Sequence, residues 1–233
     1  MFLLLACQAT LEHPYVPGNA LEDTGATPEA EAVDCGIWPY HHVGATFVYE
    51  PAQEHHWEGR TVTVEDIERP SLDADPLIHV RVEKLYDAGS YAAETDTLYE
   101  VRCDDKGVWI LGYDRWQELS WEDHDTTDTW DYRVDYHEPA LWWPAELDVG
   151  TEWTSGGEFT TEDGSGREVD TNDHYTHRVT GTDTIETPAG TFDTLTIETT
   201  DGGSYVAPFD VAVGIGPVYR FNQDQLVDYT IPE

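Results

Sequence analysis

The sequence predicts an antiparallel all-β domain, folded as a curved sheet or open barrel. Three observations carry this. After residue 35 no long apolar period of 3.6 residues runs through the chain. Short runs rich in Val, Ile, Thr, Tyr and Trp recur instead, separated by clusters of Gly, Pro and Asp. A segment reading Trp-Pro, a polar spacer, Val-Gly and an aromatic occurs twice, which points to two related meanders.

The first series of predicted strands is 45–50, 60–67, 77–86, 97–103 and 108–113. Within it, Ile78, Val80 and Val82 alternate with His79, Arg81 and Glu83, the period of a half-buried strand. Tyr99, Val101 and Cys103 continue the pattern. Asp104-Asp105-Lys106-Gly107 reads as a hairpin turn between the last two strands. The second series is 129–136, 152–161, 174–186, 191–200, 204–208, 217–221 and 225–230. Thr187-Pro188-Ala189-Gly190 marks another turn. The acidic, glycine-containing stretch 162–173 reads as a long exposed loop.

The repeat pairs Trp38-Pro39 through Phe47 with Trp143-Pro144 through Trp153, the second copy one residue longer. Its units are about 38–136 and 143–233. In each, Pro stops the preceding element, Gly allows the turn and the aromatic anchors the next strand. The second unit also carries "WWPAELDVGTEW", "TPAGTFDTLTIE" and "YVAPFDVAVGIGPVYR" in that order. These blocks resemble bacterial envelope lipoproteins and periplasmic β-proteins, including the family of unknown function DUF3108. The resemblance covers about residues 142–222, with an echo near 38–50. It departs where Phe209-Asp210-Val211-Ala212 lengthens the third block. It implies an exported, often lipid-anchored curved sheet or open barrel, and no catalytic residues.

The chain begins Met1-Phe2-Leu3-Leu4-Leu5-Ala6-Cys7. Leu4-Leu5-Ala6-Cys7 resembles the bacterial lipobox, whose cysteine receives lipid. Residues 1–7 are therefore read as the remnant of a signal peptide, and 8–34, with three prolines and no apolar period, as a disordered tether. The apolar run is short for a secretory signal and lacks a basic flank, so this reading expects translation to start upstream. Residues 35–233 form the single domain. With Cys7 lipidated, Cys35 and Cys103 remain, and export suggests that they pair as a disulfide.

Charge narrows the partners. The 233 residues hold 48 Asp and Glu against 11 Lys and Arg, a formal net charge of −37. Such a surface repels phosphate backbones, which excludes nucleic acid. Spread along the whole chain, it suits a salt-rich medium that screens self-repulsion.

Signatures of chemistry are sparse. Gly-x-Ser-x-Gly and His-Glu-x-x-His are both absent. One histidine from each of His41-His42 and His55-His56, completed by Glu54, Glu58 or Asp66, could hold a transition metal, and His174-x-x-His177 follows later, but the spacing matches no ligand pattern. Asp123, Asp125, Asp128 and Asp131, and Asp163, Asp170, Asn172 and Asp173, could hold calcium, but fit no EF-hand. The five Trp of 116–143 could line a sugar cleft or simply cover a sheet. The sequence thus assigns no catalytic residue, no metal ligand and no cofactor. It reads as a cell-envelope protein, membrane-anchored through Cys7 and facing the periplasm or cell surface. Its role is non-catalytic binding or structure, with an apolar small molecule or an envelope protein as partner. The alternative is a secreted carbohydrate-active or metal-dependent hydrolase.

Overall fold

The computed structural model describes residues 35, 38, 39, 42–52, 58–68, 75–87, 91–121, 124–201, 204–220 and 224–232. Cys7, the tether 8–34, His41, His55 and His56 lie outside them. The compact unit spans Ala32–Glu233. Its first six strands are β1 (Thr46–Pro51), β2 (Glu58–Glu68), β3 (Leu77–Asp87), β4 (Tyr91–Asp104), β5 (Gly107–Trp121) and β6 (His124–Pro144). The second six are β7 (Glu152–Asp163), β8 (Glu168–Thr187), β9 (Gly190–Asp201), β10 (Ser204–Ala212), β11 (Gly216–Arg220) and β12 (Asp224–Thr230).

Each strand pairs antiparallel with its neighbours in sequence, and β1 pairs with β12, so the curved sheet closes into a barrel. Each of the twelve strands falls where a strand was expected, but β4, β5, β6 and β8 run longer. The expected loop 162–173 is instead the tip of the β7–β8 hairpin. Its turn is held by Asp163, whose Oδ1 accepts from the backbone N–H of Ser165 at 2.9 Å and of Arg167 at 3.1 Å. The residues around this tip are mostly exposed, so no apolar alternation betrayed the strands.

The repeat is structural. Gly44 N donates to Val64 O at 2.8 Å, and Gly150 N to Val179 O at 2.8 Å. Val64 N donates to Ala45 O and Val179 N to Thr151 O; Ala45 N returns to His42 O and Thr151 N to Asp148 O. Both glycines have positive φ, 84° and 98°, which a side chain rarely tolerates. Bulges recur too. One follows Val64 in β2 and another Val179 in β8; one lies between Glu100 and Val101 and another between Asp210 and Val211. The barrel is therefore two six-stranded halves, with the β1–β3 ladders matching those of β7–β9 in register.

One end of the interior is sealed. Cys35 and Cys103 are joined by a disulfide with Cα atoms 5.0 Å apart. Trp38, fully buried, lies with its ring 4.5 Å from that of Trp143 and donates Nε1–H to Pro144 O at 3.0 Å. The β4–β5 turn presses against this plug, since a Cβ on Gly107 would lie 1.9 Å from Trp143 O. Asp104 Oδ1 fixes that turn by accepting from the N–H groups of Lys106 and Gly107 and from Trp109 Nε1.

The outer wall is charged. Arg81 pairs with Glu65 and Asp96, and Arg133 reaches Glu100 at 3.0 Å, Asp114 at 3.0 Å and Asp135 at 2.8 Å. This reverses the apolar-out alternation of a membrane-spanning barrel.

Candidate functional site

Cross-strand register stacks the interior into layers, because side chains two residues apart share a face. Val64 and Val80 form a fully buried layer in the first half, and Val179 and Ile197 its counterpart in the second. One step toward the β1–β2 and β7–β8 hairpins come Phe47, Val62 and Val82, matched by Trp153, His177 and Thr199. The next step brings Tyr49, Arg60 and Lys84, matched by Ser155, Tyr175 and Asp201.

A cavity of about 310 Å³ lies among these layers. Both members of five matched pairs line it: Tyr49 and Ser155, Arg60 and Tyr175, Val62 and His177, Val82 and Thr199, Tyr99 and Phe209. The cavity therefore straddles the relation between the halves. Matched positions in the packed layers stay aliphatic, as in Val64 and Val179, Val80 and Ile197, or Val101 and Val211. Four of the five cavity pairs change chemical class, and Tyr99 and Phe209 stay aromatic.

The second half supplies a neutral polar wall. Ser155 Oγ lies 2.7 Å from His177 Nε2, and His177 Nδ1 lies 2.8 Å from Thr199 Oγ1. The imidazole stacks on Trp153, with ring centroids 4.7 Å apart. Burial lowers its pKa from 6.5 to about 4. Because the folded value is depressed, the contribution of His177 to stability is intact above pH 6.5 and is lost as pH falls toward 4. NMR titration of the ring should find it still neutral at pH 5. His177→Gln should remove this part of the acid sensitivity, and a midpoint at or above 6 would contradict a desolvated ring.

The charge comes from both halves, Arg60 and Lys84 from β2 and β3 and Arg220 and Asp224 from β11 and β12. Arg60 stacks over the Tyr49 ring at 4.0 Å, and its Nε lies 2.8 Å from Asp224 Oδ2. That contact has ion-pair distance without hydrogen-bond angles, so the buried Arg60 Nε and Nη2 donate no hydrogen bond. Asp224, fully buried, also meets Arg220 Nη1 at 3.6 Å. Tyr49 donates its hydroxyl to Pro217 O at 2.8 Å, and burial pushes its pKa up to about 12, so it stays protonated. Arg60, Lys84 and Arg220, three of the chain's eleven basic residues, line the cavity, and no Asp or Glu among the described residues does.

Comparisons with family models, with curated proteins and with solved structures find no match.

The sequence-predicted candidates scatter. His174 is exposed while His177 faces inward, as positions three apart on a strand must. Asp66 meets His79; with Glu68 they bring ligand atoms within 4.8 Å of one another on the outer wall, away from the cavity. Asp163 caps a turn, Asp170 accepts from Thr160, and Asp173 accepts from Gly157 N, so these acids make no common site. Trp142 and Trp143 line the cavity, whereas Trp121 and Trp130 are exposed. The five Trp thus share no cleft. Ser155 and Thr199 were missed because each is an ordinary strand residue; only the repeat alignment, placing polar side chains opposite Tyr49 and Val82, could have singled them out.

Proposed function

We propose that this chain is an exported, lipid-anchored envelope protein that holds a small, largely apolar molecule inside its barrel and does no chemistry on it. The observation that carries binding is the cavity itself: its lining differs between the halves at positions where the surrounding core repeats. Its volume is at the lower end for small-molecule sites, with aromatic walls and a few polar groups. Export is supported by the lipobox-like Leu4-Leu5-Ala6-Cys7, by the lipoprotein resemblance of residues 142–222, and by a disulfide, which persists in oxidising compartments. The acidic surface suits a salt-rich surrounding.

Native mass spectrometry of the protein extracted from its source membranes tests this. The expected spectrum shows an N-terminal lipid mass on Cys7 and a small non-covalent adduct. Val82→Phe, which narrows the cavity, should abolish the adduct. An unlipidated Cys7 overturns the anchor, and an adduct retained in Val82→Phe overturns the binding site.

One observation favours a second reading, a secreted hydrolase. Ser155 and His177 stand at nucleophile–base distance within the cavity. Against it, the third partner is the Thr199 hydroxyl rather than a carboxylate, and a base with a pKa of about 4 is weak at neutral pH. A fluorophosphonate probe should leave the native protein unlabelled. Labelling that disappears in Ser155→Ala would turn the reading to hydrolysis.

A further inference from the structure

We infer that the molecule held in the barrel is uncharged and carries an accepting oxygen, a carbonyl or ether group on an apolar body, seated with that oxygen against Ser155, His177 and Thr199. The inference rests on the binding reading above and names its ligand class.

A count of hydrogens carries it. Ser155 and His177 are joined by one hydrogen bond, and His177 and Thr199 by another. Two hydroxyls and a neutral imidazole bring three polar hydrogens to these two links. Whichever tautomer the ring adopts, one hydroxyl hydrogen is left over. With Nδ1 protonated it belongs to Thr199; with Nε2 protonated it belongs to Ser155. A charged ring would add a fourth hydrogen and leave two. Among the described residues neither hydroxyl has a second hydrogen-bond partner, and both side chains line the cavity. The row therefore ends on a donor at the cavity, and a donor shut away from water without an acceptor is costly.

The row is also fixed in place. The imidazole stacks on Trp153, whose Nε1 donates to Trp142 O at 3.2 Å. A donor aimed before the ligand arrives lowers the cost of binding. The remaining walls set the rest of the ligand. At the positions matched to His177 and Thr199 the first half carries Val62 and Val82, and Phe47, Phe209 and Ile215 also line the space. One wall donates, and its counterpart is apolar. The cations of the lining call for no charge from the ligand. Asp224 lies against both Arg60 and Arg220, and Lys84 is engaged as well.

The test uses three probes of one shape: acetophenone, α-methylstyrene, in which a methylene replaces the carbonyl oxygen, and benzoate. Calorimetric titration of the full chain in molar NaCl gives the affinity of each, and benzoate should bind least. In the triple variant Ser155→Ala, His177→Phe, Thr199→Val, the ratio of ketone to alkene affinity should fall about threefold to tenfold, the worth of one hydrogen bond. Comparing ratios between the two proteins cancels the different cost of taking each probe out of water. Removing the whole row leaves no orphaned partner, so the fold should persist, which the near-ultraviolet spectrum checks. Infrared spectra give a second readout. The bound acetophenone carbonyl should absorb at lower frequency than in hexane, and should move back in the triple variant. An unchanged ratio, or a hexane-like band in the native protein, refutes the accepting oxygen, while binding of ketone and alkene alike keeps the binding reading. Tightest binding of benzoate refutes an uncharged ligand. If no probe binds, the adduct on the source protein decides: an uncharged formula with oxygen upholds the inference, one without oxygen refutes it, and no adduct at all removes the binding reading with it.

Discussion

Replacing both Cys35 and Cys103 by Ala should lower the free energy of unfolding by about 4 kcal/mol. The bond closes a loop across a sequence separation of 68, and a cross-link of that span removes much of the freedom of the unfolded chain. The folded state adds to the effect. Cys35 and Cys103 are 0% and 5% exposed, and the bond ties the segment before β1 to the end of β4. Trp38 follows Cys35 closely and covers Trp143, so a loosened Cys35 frees the plug that seals one end of the barrel. Urea unfolding of the oxidised protein and the double variant measures the difference. A loss below about 1 kcal/mol would mean that the plug is held by packing alone.

Asp224→Asn should destabilise the barrel by roughly 3–5 kcal/mol, the scale for removing one partner from a buried ion pair. Asp224 is 0% exposed and stands between Arg60 and Arg220 on the strand that closes the sheet. An amide removes the carboxylate that stands between the Arg60 and Arg220 guanidinium groups. The companion variant Asp224→Asn with Arg60→Met should recover much of the loss, because it removes a charge along with its partner. Equal instability of the single and double variants would show that Asp224 acts through shape, and a silent single variant would show that the pair carries no stability.

The fold was largely legible. Alternation along Ile78, Val80 and Val82, the turn Asp104–Gly107 and the twofold Trp-Pro–Val-Gly segment are local features, written within a few residues of one another. They sufficed for twelve antiparallel strands in two related sets. The stretch 162–173 was misread because a hairpin tip with water on both sides needs no apolar pattern; its ladder is made by the backbone. The site was far less legible. Ser155, His177 and Thr199 come from three different strands, and Arg60, Lys84 and Arg220 from three others. No spacing rule joins them, since register and closure, not sequence distance, bring them to one space.

Sequence alone therefore determined the fold class, the duplicated plan and the acidic character of this protein. Each follows from period, turn chemistry or composition, which act locally or by simple count. Tertiary structure decided that the sheet closes through β1 and β12, that Trp38 and Trp143 seal one end, and that three of the eleven basic residues face a single cavity. Those outcomes depend on strand register around a closed circuit, where a shift of one residue would turn Arg60, Lys84 and His177 outward.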